Sequence, residues 1–282
     1  MMTNVWYKQG EALLSEIRQT DVPDDMFALW PTGQMSVVLK WRKTVLYIDP
    51  VLADLCDEQG VSHRCYQAPY TPAMARADVV LCTHSHGDHM QPETLQGMHD
   101  ANPDCLFIVP APEVPYALSL GLSQNRVLGA AAGEPISLGD GLRIVPVAAA
   151  HETYRQDENG NEYALGYVIN MGNLSCYHSG DTLLTQKLMD DLHALETIDV
   201  ACLPVNGCDF ERHACGIVGN MDALDSAYLA HAIAASLVLP MHFDMVQGNT
   251  SDPLQFAAVM RSRYPACRYH IPVLGERLLI AR

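Results

Sequence analysis

Thr83-His84-Ser85-His86-Gly87-Asp88-His89 sets three imidazoles and one carboxylate side by side in a single short stretch. It follows Ala77-Asp78-Val79-Val80-Leu81-Cys82, an apolar run that reads as a buried strand about to end. Imidazole nitrogen and carboxylate oxygen suit zinc, manganese or iron. In an extended segment, residues i, i+2 and i+4 share a face but are spread along it, too far apart to close on one ion. A turn at Gly87 re-aims the second half, so that one pair serves one ion and the other pair a neighbour. The stretch therefore predicts a metal site, of a two-ion kind, where a strand opens into a loop.

Outward from it, the apolar pattern predicts alternating elements. Residues 5–18 suit a helix with Leu13, Leu14 and Ile17 on one face. Residues 27–30, 35–41 and 44–49 read as an antiparallel meander, and 51–71 as a loop. After the metal stretch come a helix over 92–98, a strand over 105–109, a helix over 114–122 and a strand over 142–147. The polar segment 152–162 precedes a hairpin of 163–170 with 174–177. Then follow a helix over 183–195, a strand over 198–205, a loop over 206–220 and a helix capped by Asp222 running to Ala235. A strand over 236–240, a helix opened by Asp252-Pro253 and strand-like segments over 269–280 close the chain. Strand–helix–strand rhythm of this kind marks a layered α/β protein. No repeat or linker interrupts it, so 1–282 reads as one domain with 1–25 as an N-terminal helical extension.

The spacing His84-x-His86-x-Asp88-His89 after an apolar strand resembles the signature of the metallo-β-lactamase superfamily of hydrolases. Further motifs of that family stand in order. Tyr47-Ile48-Asp49-Pro50 is similar to its first motif, whose aspartate supports the site without binding metal. His151 follows Ala148-Ala149-Ala150, Asp181 lies in His178-Ser179-Gly180-Asp181-Thr182, and His242 ends Leu237-Val238-Leu239-Pro240-Met241-His242. Tyr177 to Asp181, Ile198-Asp199-Val200-Ala201 and Val238 to Asp244 look like the L-ascorbate-6-phosphate lactonase branch.

The resemblance implies an αββα sandwich of two mixed sheets flanked by helices. It implies two divalent metal ions, zinc or manganese: His84, His86 and His151 on one, Asp88, His89 and His242 on the other, Asp181 bridging. His151 is the ligand around which the lactonase branch varies. Asp88 and Asp181 are the expected catalytic carboxylates, and a hydroxide shared by two ions the nucleophile. His178 either orients Asp181 or fills the turn.

Composition narrows the function. The 282 residues are 49% hydrophobic and 18% charged, as in a globular enzyme. With 17 Lys plus Arg against 33 Asp plus Glu, the formal charge of −16 disfavours a nucleic-acid partner. Neither a signal-peptide core nor a stretch of ~20 apolar residues is present, so no membrane is expected. Nine cysteines without a Cys-x-x-Cys pair fit a reducing cytoplasm.

The expected partner is a small molecule, with a homo-oligomer left open. The leading function is opening of a small ester or lactone, such as a phosphorylated sugar lactone of the L-ascorbate 6-phosphate kind. Arg155, Arg212 and His213, with Arg64, are candidates to hold an anionic group at the rim, while the 51–71 loop with Arg64 and Tyr66 reads either as one rim of the pocket or as purely structural. A phosphodiesterase or nuclease of the same superfamily and a non-catalytic metal-binding module are the alternatives. An oxygen-reducing di-iron protein usually has Glu where His86 stands, and a flavin domain besides.

Overall fold

Turns at Gln34 and Arg42 fold residues 26–48 into the antiparallel meander that the alternation predicts. In the computed structural model, which describes residues 5–57, 59–195 and 197–282, this meander belongs to the first of two compact units. That unit takes in the described residues up to Ala130, with Met245–Gln247 and Val273–Arg282. Residues 1–4 of the expected N-terminal extension lie outside the described residues.

The first unit begins with α1 (Gly10–Gln19), whose Leu13, Leu14 and Ile17 are buried. The helix starts later than the periodicity predicts. Residues before Gly10 are held by tertiary bonds instead: Tyr7 N donates to Leu274 O at 2.9 Å and Trp6 Nε1 to Gln67 O at 3.0 Å. Strands β1 (Met26–Gly33), β2 (Ser36–Trp41) and β3 (Thr44–Ile48) follow. Then come β4 (Val79–Leu81), α2 (Pro92–Ala101), β5 (Leu106–Pro110), α3 (Val114–Ser119) and β6 (Val127–Ala130). Helix α3 is shorter than expected, and β6 is a short edge strand that its four residues do not announce.

The second unit, Ala131–Asp244 with Gly248–Pro272, starts with β7 (Ile136–Gly139), β8 (Leu142–Ala148), β9 (Leu165–Met171) and β10 (Leu174–His178). It continues with α4 (Gln186–His193), β11 (Val200–Pro204), α5 (Phe210–Ala214), α6 (Ala223–Ala232), β12 (Leu237–Met241) and α7 (Pro253–Arg263). Each of α4, α6 and α7 has a side-chain N-cap, from Thr185, Asp222 and Asp252 respectively. Helix α4 begins after Thr185 rather than at Leu183, whose N–H is spent on Ala150 O. The expected loop over 206–220 contains the short α5, capped by Asp209. Of the strand-like tail only β13 (Leu278–Ala281) is a strand, and it pairs with β1 in the first unit.

Among the described residues each unit carries one mixed sheet. The first runs β13-β1-β2-β3-β4-β5-β6, antiparallel as far as β3 and parallel beyond it. The second runs β12-β11-β10-β9-β8-β7, parallel from β12 to β10 and antiparallel onward. Two mixed sheets flanked by helices are the α/β class that the sequence predicts. Each sheet packs its own core: Trp30, Val38, Tyr47, Val80 and Phe107 in the first, Tyr177, Leu203, Leu229, Val238 and Phe256 in the second. Burying each such large apolar side chain contributes roughly 1.5–3 kcal/mol. No described helix is long and apolar enough to cross a membrane.

Candidate metal centre

Strands β3 and β4 run parallel with Ile48 opposite Leu81, so Asp49 and the residues after Leu81 leave the sheet side by side. Asp49 takes a left-handed backbone (φ 47°) and donates its N–H to Leu81 O at 2.8 Å. Its buried carboxylate accepts from Thr83 N and from Thr83 Oγ1, each at 2.7 Å. The same carboxylate lies 2.7 Å from His89 Nδ1, and both side chains are fully buried. A carboxylate at that distance keeps the imidazole proton on Nδ1 and leaves the lone pair on Nε2, the form in which imidazole binds a metal.

Between them the chain turns back at Gly87, with His89 N and Met90 N donating to His86 O at 2.9 and 2.8 Å. The turn gathers what an extended segment would spread. The His84 ring centroid lies 4.7 Å from that of His86 and 4.1 Å from that of His89. Asp88 Oδ2 lies 3.8 Å from His89 Nε2 and accepts from Gln34 Nε2 at 2.7 Å. Ser85, between the first two histidines, donates its hydroxyl to Glu113 at 2.8 Å.

In the second unit His151, Asp181 and His242 each sit just past a strand end, those of β8, β10 and β12. His242 Nε2 lies 3.1 Å from Asp181 Oδ2, with both residues buried. His242 holds a left-handed φ of 59°, a strained state for a residue with a side chain. The segment leading to His151 is tied to the Asp181 turn: Ala150 N donates to Thr182 Oγ1 at 3.0 Å, and Leu183 N to Ala150 O at 2.9 Å. His178 braces that turn, its Nδ1 accepting from Gly180 N at 3.3 Å. Gly166 on β9 passes so close beneath it that a Cβ there would lie 2.9 Å from Ser179 O. Imidazoles and carboxylates at buried strand ends, with one ring tautomer set by a carboxylate, are a donor set that fits zinc or manganese.

The expected rim cations fare differently. Arg64 is fully buried, its guanidinium donating to Tyr66 O, Val51 O and Ala53 O, so it staples its own loop, the structural of the two roles open to it, and does not face the rim as an anion-holding cation. Arg212 donates to Asp209 at 2.6 Å and to Asn249 at 3.2 Å. The Arg212 backbone N–H and guanidinium hold Asp209 below the usual carboxylate range. Arg155 is exposed, its guanidinium 3.9 Å from the Tyr163 ring centroid, and His213 is 70% exposed. Thr83 stands next to His84 but carries no ligand signal of its own, while Gln34 and Glu113 are brought to the cluster only by the fold.

A family model described as the β-lactamase superfamily domain matches residues 30–242. A UPF0173 metal-dependent hydrolase of Methanoculleus marisnigri is 33% identical over 180 residues, covering 60% of this chain and 67% of that protein. Another, from Nitratidesulfovibrio vulgaris, is 30% identical over 215 residues, covering 74% and 81%. Among solved structures, isothiocyanate hydrolase from Delia radicum gut bacteria aligns with a TM-score of 0.71 at 16% identity, over 90% of this chain and all 100% of that one. A metallo hydrolase from the archaeon Ignicoccus hospitalis gives 0.68 at 20% identity, over 91% and 99%. At such identities the structural likeness speaks for the fold, and the two mixed sheets match the metallo-β-lactamase fold.

Proposed function

The chain belongs to the β-lactamase superfamily domain family, and on that premise we propose that it is a metal-dependent hydrolase of a small ester or lactone. The observation that carries the reading is the 2.7 Å contact of Asp49 with His89 Nδ1, which presents a buried imidazole in its metal-binding form beside Asp88. In this reading His84, His86, Asp88 and His89 of the first unit and His151, Asp181 and His242 of the second would be the residues that hold divalent cations, as the family resemblance implies. Zinc or manganese, when bound by these residues, would supply an acidified water at neutral pH and a Lewis acid for the carbonyl.

The chain's own residues do the rest. Asp49 keeps the His89 proton on Nδ1, and the Thr83 backbone N–H holds the other carboxylate oxygen of Asp49. The carboxylates of Asp88 and Asp181 offset cation charge, and the burial of Asp181 and His242 makes such interactions stronger than they are in water. No serine or cysteine nucleophile is needed.

The narrower substrate, a phosphorylated sugar lactone, is proposed from the likeness of residues 177–181 and 238–244 to the ascorbate-phosphate lactonases. With Arg64 buried and Arg212 held by Asp209, exposed Arg155, with the polar ring of His213, is left to meet a phosphate. Assay of zinc- or manganese-loaded protein against paired phosphorylated and unphosphorylated lactones, a phosphodiester and a β-lactam tests the proposal. Lactone opening that is abolished by chelator and restored by metal is the expected result. Turnover of the phosphodiester alone would leave the metal-dependent hydrolase and remove the lactonase.

A further inference from the structure

Gln34 occupies the turn between β1 and β2, far in sequence from any metal-ligand motif. It is buried, yet its backbone is left-handed (φ 56°), a conformation that favours glycine or asparagine. The turn is pinned on both sides. A Cβ on Gly33 would lie 2.1 Å from the Tyr66 hydroxyl, so only glycine fits between the turn and that ring. Across the turn the Thr32 and Ser36 hydroxyls share a hydrogen bond of 2.6 Å. From this fixed backbone Gln34 Nε2 donates to Asp88 Oδ2 at 2.7 Å, the same oxygen that lies 3.8 Å from His89 Nε2. Two ligand atoms 3.8 Å apart can share one cation whose bonds are about 2 Å long.

We propose that Gln34 is a positioning residue for the metal centre, its amide fixing the Asp88 carboxylate in the orientation that faces His89. The inference rests on the metal-dependent reading above and deepens it. Asp88 needs such a clamp because it is the least enclosed partner of the pair, its side chain 22% exposed against 0% for His89. A carboxylate free to rotate would lose orientational freedom on binding a cation; one already held does not. The left-handed backbone is explained in the same way, as local strain kept where a side chain must reach a functional group.

The test measures the zinc affinity of the full chain by competition with a chromogenic chelator, alongside thermal unfolding of the metal-free protein. Gln34→Asn keeps the amide and tolerates the backbone but is one methylene too short to reach Asp88. Gln34→Glu keeps the length and turns the donor into a repelling carboxylate. Both should weaken zinc binding about tenfold or more, with Gln34→Glu the worse, while the metal-free proteins unfold where the wild type does. With Asp88→Ala already in place, Gln34→Asn should change zinc affinity by less than about twofold, because its target is gone. Unchanged affinity in both single variants would overturn the proposal, as would an equal loss from Gln34→Asn with and without Asp88. A purely structural role would show the opposite pattern, with metal-free unfolding shifted and zinc affinity kept. Failure of the wild type itself to bind zinc or manganese would instead overturn the metal reading on which the inference rests.

Discussion

Asp49 Oδ2 lies 2.7 Å from His89 Nδ1 while Asp49 Oδ1 takes the Thr83 backbone N–H at the same distance. One buried carboxylate thus joins the end of β3, the end of β4 and a histidine beyond the Gly87 turn. In Asp49→Asn the shape is kept but the charge and one acceptor are lost, so the His89 proton is no longer held on Nδ1. Metal affinity should fall roughly 10–100-fold, read by chelator competition. Affinity equal to the wild type would show that Asp49 does not set the His89 ring.

Arg64 gives a prediction of a different kind. Its guanidinium is fully buried and serves three backbone carbonyls of the 51–66 region. Removing it takes that donor from Val51 O and Tyr66 O, while Ala53 O keeps Gln91 Nε2 at 3.2 Å. Arg64→Ala should therefore cost about 3 kcal/mol of stability, measured by urea unfolding of the metal-free chain. KM of the surviving folded enzyme should stay near that of the wild type. A normal stability with a raised KM would return Arg64 to the substrate rim.

The pH dependence of folding can be anchored at Glu16 on α1. Partial burial alone would raise its carboxyl, but bonds from Lys8 and Trp30 and the charges of Lys8 and Arg277 outweigh it and hold Glu16 below its ordinary 4.5. A folded-state pKa lower than the unfolded one contributes stability that is full above the ordinary value and lost as pH falls through the lowered one. Glu16→Gln should then lower the thermal midpoint at pH 7, and the gap to the wild type should close as pH drops below 4.5. A gap that stays constant through that range would mean the carboxylate charge is not what matters.

Sequence and fold divide the account unevenly. His84, His86, Asp88 and His89 are legible as candidate ligands because they crowd into one stretch, and the Gly87 turn that folds them together is visible with them. The meander, the caps at Asp222 and Asp252 and the buried strands follow from short-range pattern and capping chemistry. Asp49 is legible only through its motif, since its bond to His89 depends on β3 and β4 running parallel in one register. Gln34 leaves no sequence trace, because an amide in a turn looks the same whether it meets water or a carboxylate. Arg64 misleads for the reverse reason: a cation in a polar loop reads as a surface residue, and its burial against carbonyls exists only in the folded chain. The late start of α1 has a similar cause, since Trp6 and Tyr7 satisfy their donors across the unit rather than along a helix.

Elemental analysis of the full chain, purified under metal-replete conditions and freed of loosely held ions, tests the paired centre most directly. Seven candidate ligands are more than one four-coordinate ion uses, so on the proposed reading about two zinc or manganese ions per chain are expected. Asp181→Asn should reduce that occupancy together with activity. A wild-type chain that holds at most about one ion when saturated, or an Asp181→Asn chain that keeps full occupancy and activity, would contradict a centre built on a shared Asp181.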